Sequence, residues 1–279
     1  MEKEQFINAL TNFVKTMKDY ISTQSKDWNI KGFIDTEQNI YTISQDTKVI
    51  SKILEIQLFP KFKEFADANG FEIILAEKQN WYPDMSFVNK KDSSIKYALD
   101  IKTTYRLKTH EGFCNGFTLG SHGTYFKDRK SSKNIQFPYG DYKAHICLGI
   151  LYDRTLETDI DETIIVPIQQ LHIINSVIKN IEFFVVEKWK IASDKSGSSN
   201  TANIGSIDCI EDILIGNGVF ANLGESIFDE YWINHGVMQV PNEKKKGDFK
   251  KLTSLKEYLK LKNIDENLIN ISKPKRKTK

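Results

Sequence analysis

Phe6, Leu10, Phe13, Met17 and Ile21 recur at the three- and four-residue spacing of one helix face, so residues 3–23 are expected to form an amphipathic helix whose stripe meets a core or a dimer partner. Residues 30–43 then alternate apolar and polar positions around Asp35-Thr36-Glu37-Gln38-Asn39, the pattern of a hairpin. From residue 46 to 69 the spacing is helical again. Val49, Ile53 and Ile56 are apolar before Pro60, and Phe62 and Phe65 after it. Proline has no amide proton to give, so a break or kink is expected there. Residues 85–88 and 95–101 read as short strands joined by the polar turn at 89–94. Residues 146–152 read as a buried central strand, 163–166 as a shorter one ending at Pro167, 171–178 as a helix and 183–186 as a strand. Helices and strands mix without an internal repeat, which places the chain in the α/β (α+β) class around a mixed sheet.

Candidate chemistry sits on the two strands at 85–88 and 95–101. Asp84 follows Tyr82-Pro83 at the edge of the first, and Asp100-Ile101-Lys102 lies in the second. Adjacent strands joined by a short turn are most simply antiparallel, which brings both acids to one end of the hairpin. Asp100 and Lys102 are two apart and share a face, while Ile101 points into the core. Two carboxylates suit a hard divalent ion such as magnesium, which keeps waters and accepts a substrate phosphate. Such an ion activates water and neutralises charge on phosphorus, with Lys102 adding a point charge. That trio is equipped to cut a phosphodiester. Taken alone, a Pro-Asp followed by Asp-x-Lys is also the ordinary stuff of solvated turns and strand charges.

Composition narrows the setting. The 279 residues are 40% hydrophobic and 11% aromatic, enough for a sizeable core. No run is long and apolar enough to span a bilayer, and Met1-Glu2-Lys3-Glu4-Gln5 is unlike a secretory signal, so a cytoplasmic protein without a membrane partner is expected. Cys114, Cys147 and Cys209 lack zinc spacing and read as reduced thiols. His110, His122, His145, His172 and His235 have no partner at metal or triad spacing, and no phosphate loop signals ATP. The net charge is +2, yet residues 244–279 hold thirteen Lys or Arg against four Asp or Glu, a surplus of nine that leaves residues 1–243 at −7. Basic segments attract nucleic-acid phosphates.

Across residues 30–231 the chain resembles the EcoRV family of type II restriction endonucleases, in the PD-(D/E)xK nuclease superfamily. The resemblance is carried in order by Ser44-Gln45-Asp46-Thr47-Lys48-Val49-Ile50-Ser51, Gln79-Asn80-Trp81-Tyr82-Pro83-Asp84, Asp100-Ile101-Lys102-Thr103-Thr104-Tyr105, Phe117-Thr118-Leu119-Gly120, Lys133-Asn134-Ile135 with Pro138, and Ser198-Ser199-Asn200-Thr201-Ala202-Asn203-Ile204-Gly205-Ser206. It implies a restriction-endonuclease-like mixed sheet flanked by helices, a small dimerisation hairpin region at 30–43 and a DNA-binding lobe. Residues 1–243 would be the catalytic and DNA-binding core, and 244–279 a basic DNA-contacting segment and tail.

The resemblance also implies site residues. Asp84, Asp100 and Lys102 are catalytic, and Glu55 falls at a third active-site acid that holds or relays a second metal. Gly197, Ser198, Ser199, Asn200 and Thr201 match a loop that reads base edges in the major groove. Ser199 stands where the family has glycine and Ala202 where it has threonine, and both departures bear on specificity. Lys78, Gln79 and Asn80 match a loop along the minor groove, with Lys78 replacing a glutamine and Trp81 a histidine. Lys48, Thr103, Thr104, Thr124 and Lys133 match backbone contacts, which set register. The implied partners are double-stranded DNA, a second copy of the chain and a companion DNA methyltransferase that is not a stable subunit. The implied cofactor is Mg2+, with Mn2+ able to substitute, and the implied reaction a blunt central cut of GATATC. A nuclease without a fixed hexamer, and a relative that binds DNA without cutting, remain as alternatives.

Overall fold

The computed structural model describes residues 1–78, 80–197, 202–242 and 247–270. The chain opens with helices α1 (Lys3–Val14) and α2 (Met17–Ile21), where one helix was expected. Thr16 donates from both its amide and its hydroxyl to the Phe13 carbonyl, at 3.0 and 2.7 Å, and this local bonding ends the first helix. The break turns the stripe: Phe6, Leu10, Val14, Met17 and Ile21 are buried, and Phe13 is only half-buried. The expected hairpin is β1 (Gly32–Ile34) with β2 (Asn39–Thr42), paired antiparallel.

Helix α3 (Thr47–Ala68) begins at Asp46, whose carboxylate accepts the Lys48 and Val49 amides at 2.7 and 3.2 Å. It runs through Pro60 without a break, since Leu58, Phe62 and Phe65 on both sides pack into the same core. Its buried face is also offset from expectation. Ile50, Ile53, Leu54 and Leu58 point inward, whereas Ile56 is 63% exposed and Val49 36%.

The strands β3 (Phe71–Leu75), β4 (Met85–Asn89) and β5 (Lys96–Tyr105) follow as an antiparallel meander. After β6 (Thr118–Ser121) and the short helix α4 (Thr124–Lys127), strand β7 (Tyr142–Arg154) lies parallel to β5, and β9 (Ile178–Glu187) antiparallel to β7. The sheet order is β3-β4-β5-β7-β9, a mixed sheet as expected. Strand β8 (Ile165–Pro167) joins the first hairpin in a separate sheet of order β1-β2-β8. The helix expected over 171–178 is replaced by a 3-10 segment, Ile168–Ile173. Ser176 instead bonds the carbonyls of Trp28 and Ile178 at 3.0 and 2.9 Å, and pairing with β7 draws Ile178 into strand.

Strands β10 (Ala192–Ser196) and β11 (Asn203–Ser206) form a hairpin that pairs with β6 through β11. Helices α5 (Ile210–Ile215) and α6 (Glu225–Asn234), the pair β12 (Gln239–Pro241) and β13 (Phe249–Lys251), and α7 (Leu255–Leu261) complete the chain. Leu252, Leu255, Tyr258 and Leu259 are buried with Trp232 and Phe228, so residues 247–270 are packed chain. Part of their basic surplus is spent internally, Lys250 on Glu257 at 2.5 Å and Lys262 on Glu230 at 3.0 Å.

The central sheet separates two cores. Tyr97, Leu99 and Ile101 of β5, with Leu148 and Ile150 of β7, face a cluster built with α1, α2 and α3. Ala98 of β5, with Cys147 and Leu151 of β7, faces a second cluster built with α4 through α7. No helix among the described residues is long and apolar enough to cross a membrane.

Candidate active site

The hairpin β4–β5 places both acids as the pattern predicts. Met85 pairs with Leu99, so Asp84 meets β5 at Asp100–Ile101, and its Oδ2 accepts the Ile101 amide at 2.7 Å. Asp100 is 8% exposed, and its Oδ2 lies 2.6 Å from Lys102 Nζ on the same face, while Ile101 is buried in the opposite core. Burial and then the neighbouring Asp100 push the Asp84 carboxyl up to about 7, against the pull of Lys102 and the Ile101 amide. At Lys102 burial favours the neutral amine, but the carboxylates of Asp100 and Asp84 outweigh it and raise its pKa above the ordinary lysine value.

Two acids therefore share one ammonium in surroundings that penalise charge. A divalent cation fits such a pair: both donors are hard oxygens and their mutual repulsion leaves negative charge to neutralise. No group of three or more His, Cys, Asp or Glu residues stands at metal-holding geometry among the described residues, so the protein would offer two carboxylates and leave other positions to water and phosphate.

These residues lie at the junction of two cavities. A cleft of about 600 Å³ is lined by Lys48, Ser51, Lys52 and Glu55 of α3, by Lys78, Asn80 and Trp81 of the β3–β4 loop, and by Asp84, Lys102 and Thr103. A second cavity of about 350 Å³ takes in Asn80, Asp84, Asp100 and Lys102 with Gly120, Ser121, Thr124, Tyr125, Asn134 and Asn203.

A family model described as "Restriction endonuclease EcoRV" matches residues 24–263. The chain is 34% identical over 223 residues to the Escherichia coli protein "Type II restriction enzyme EcoRV", covering 79% of this chain and 88% of that protein. This chain belongs to the EcoRV family of type II restriction endonucleases. The enzyme is thus a type II site-specific deoxyribonuclease, from a family that depends on a divalent metal and acts on double-stranded DNA. Among solved structures, the NlaIV restriction endonuclease superposes with a TM-score of 0.41 at 14% identity, over 99% of this chain and 93% of that one.

The enzyme's remaining sequence-predicted residues divide in three groups. Lys48, Lys78, Asn80 and Thr103 line the larger cleft, and Thr124 the smaller. Glu55 joins them through α3, its carboxylate 2.8 Å from Lys52 Nζ. Thr104 does not join them: it is buried and its hydroxyl donates to the Asn115 carbonyl. Lys133 is exposed in the loop that carries Asn134 and lines neither cavity. Gln79 and the loop residues Ser198, Ser199, Asn200 and Thr201 lie outside the described residues. The feet of that loop are defined. Gly197 donates to the Asn203 carbonyl at 3.0 Å, and a Cβ on Gly197 would stand 2.7 Å from Gly205 Cα, so only glycine lets the strands approach. The Ala202 carbonyl accepts the His122 amide at 2.8 Å, fixing the loop beside β6.

Sequence reasoning missed several residues of the enzyme. Lys52 and Ser51 share the helical stripe 48-51-52-55, a spacing that would have found them. Lys78, expected along the minor groove, stands 5.3 Å from the Trp81 ring centroid, a contact that the sequence did not announce. Behind the smaller cavity, His145 Nε2 faces the Tyr139 carbonyl at 3.1 Å, so that nitrogen carries the proton and Nδ1 accepts from the Tyr82 hydroxyl at 2.9 Å. Burial holds this imidazole neutral, well below its ordinary pKa. Lys188 is buried in the same layer, where burial lowers its ammonium to about 8 despite the opposing pull of Asp100. Nothing in the local sequence distinguishes it from Lys190.

Proposed function

We propose that the enzyme is a cytoplasmic, homodimeric, Mg2+-dependent restriction endonuclease that cuts both strands of GATATC bluntly at the centre, with Mn2+ able to substitute. The observation that carries this reading is the contact of Asp84 with the Ile101 amide beside the Asp100–Lys102 pair, at the meeting of two polar cavities. Asp84 and Asp100 would hold the cation, and Glu55 a second one from the α3 side of the cleft. When bound, a divalent cation supplies Lewis acidity at the scissile phosphate.

The chain's own groups do the rest. Lys102 sits where negative charge grows on the phosphorus, and its ammonium is kept protonated by the two acids. Lys48, Lys52 and Lys78 track the phosphate backbone along the cleft and set register, and Thr103 and Thr124 contribute hydroxyls. Residues Gly197 to Thr201 read bases from the loop anchored at Gly197 and Ala202. Ser199 and Ala202, which replace the family glycine and threonine, are the positions to examine first should the hexamer differ. The basic residues of 244–279 add phosphate contacts that are independent of sequence.

The dimer is supported by an exposed apolar face on the β1-β2-β8 sheet. Phe33, Tyr41 and Ile165 are paired neighbours on one face of it, 54, 44 and 58% exposed, a patch that suits a partner surface. A twofold protein matches a palindromic site, one active centre per strand. A companion methyltransferase would protect the host copies of that site.

The test is digestion of a plasmid of known sequence with Mg2+, mapping of every end, and light scattering of the protein. Blunt ends at the centre of each GATATC and a mass of two chains are expected. Ends at another repeated motif would overturn the hexamer, scattered ends the site specificity, and a single-chain mass the dimer.

A further inference from the structure

We propose that Lys188 is a positioning residue of the cleavage reaction, its ammonium sealed in a cage of Tyr82, Phe126 and Tyr139 behind the Gly120 wall of the catalytic cavity, as a fixed positive charge acting on Asp100. The inference rests on the nuclease reading above and names a group that reading does not use.

Lys188 follows the end of β9 and is 3% exposed. Its Nζ has no hydrogen-bond partner among the described residues, a costly condition for a buried ammonium. The negative faces of three aromatic rings surround it instead, with centroids at 5.3, 5.4 and 5.5 Å for Tyr82, Phe126 and Tyr139. The cage belongs to the active site by position. Tyr82 stands two residues before Asp84 and lines the 350 Å³ cavity together with Asp100 and Lys102. Gly120 lines it too, and a Cβ placed there would lie 3.6 Å from both Lys188 Nζ and the Tyr125 hydroxyl. The absent side chain at Gly120 thus leaves only a thin wall between the ammonium and the cavity.

Charge balance explains what the ammonium does. Two acids attract Lys188, Asp100 and Asp229, while Lys102 and Arg129 oppose it. Asp229 is already paired with Arg129 at 2.7 Å. Asp84, Asp100 and Lys102 together carry one net negative charge when the acids are ionised, and Lys188 cancels it. With a divalent cation added, the cluster faces the scissile phosphate with more positive charge than Lys102 alone provides. Burial keeps bulk water from the ammonium, so its field at Asp100 is screened less than that of an exposed lysine would be.

Lys188→Met keeps the length of the stem and removes the charge. With saturating Mg2+ the single-turnover cleavage rate of the full-length dimer on a cognate duplex is expected to fall at least about tenfold. The KM for DNA should not change, because the ammonium never reaches solvent. Mn2+ affinity, measured by electron paramagnetic resonance, should hold or rise, since a repelling charge has gone. The thermal midpoint should hold or rise as well, which a structural lysine would not allow. Lys188→Arg, which restores charge, should cut faster than Lys188→Met. A Met variant that cuts at the wild-type rate, or a rate loss that follows a fall in thermal midpoint or Mn2+ affinity, overturns the inference while the nuclease reading stands. Should Lys188→Met fail to fold, a stably folded Lys188→Arg that cuts at least about tenfold slower than the wild type despite its retained charge would overturn it. A wild-type chain that cuts no DNA would overturn both.

Discussion

The two faces of the central sheet are built by the same strands to opposite ends. The face under α1, α2 and α3 is almost wholly apolar: Phe6 stacks on Tyr97 with centroids 4.0 Å apart and meets Phe65, Phe71 and Phe87 edge-on at 5.1–5.8 Å. The face under α4 to α7 buries Ser86, Asp100, His145 and Lys188 among its aromatic rings. Strand β5 supplies both, Leu99 and Ile101 to one side and Asp100 and Lys102 to the other. The apolar face lowers the free energy of folding, and that surplus tolerates charged groups held dry on the other. The buried acid of the first face, Glu187, is bonded to Lys3 of α1 at 2.8 Å, whereas Asp100 and Lys188 gather at the candidate site.

The largest expected effect tests that division directly. Asp100→Ala should reduce cleavage by on the order of 10³-fold or more, the rate equivalent of losing several kcal/mol of charge stabilisation. Urea unfolding of the same variant should show no comparable loss of stability, and near wild-type cutting would remove Asp100 from the chemistry. On the opposite face, Phe87→Ala should cost about 3–5 kcal/mol in urea unfolding while the folded fraction keeps its turnover. A loss of kcat beyond the unfolded fraction would mean that the faces are not separable.

A third test uses the sign of the Asp84 shift. Its carboxyl is raised to about 7 in the folded protein from an ordinary 3.8, so the folded state binds this proton more tightly. Stability of the metal-free enzyme should therefore rise as pH falls from 7 toward 4, and be lost as pH rises through 7. Thermal midpoints across that range should show the trend, and Asp84→Asn should flatten it; an unchanged slope in the variant assigns the trend to other groups. The smallest effect concerns the exposed rim. Lys52→Ala should lower the slope of log affinity against log salt by about 0.9, one phosphate contact, with little change in stability. An unchanged slope in fluorescence anisotropy would leave Lys52 as a partner of Glu55 alone.

Legibility in the sequence followed distance along the chain. The hairpin β4–β5 was readable because its turn, its alternation and its two acids lie within residues 84–102, and antiparallel pairing of neighbours follows from chain geometry. Helix α3 was readable in extent but not in orientation. Val49 and Ile56 belong to its apolar positions yet face outward, because the core it meets is met by Ile50, Leu54 and Leu58. Residues 171–178 carry a helical spacing, yet 171–173 form the end of a 3-10 segment, and only Ile178 pairs with β7. His122 and His235, isolated in sequence, stand with ring centroids 5.3 Å apart beside Trp232.

The order of residues alone determined the class of fold, the acid-acid-ammonium trio and the family, since each rests on local alternation or on motifs read in line. Only the tertiary structure decided that β7 runs parallel beside β5 and sets Cys147 and Gly149 against Asp100 and Lys102. It alone brought β6 and α4 beside the acids, closing a cavity with Gly120 and Tyr125, and set Lys188, the residue after β9, behind Gly120. The physical reason is that burial, unlike alternation, depends on partners remote in the chain. A lysine becomes an unpaired internal charge only when three rings from separate segments have shut it away from water.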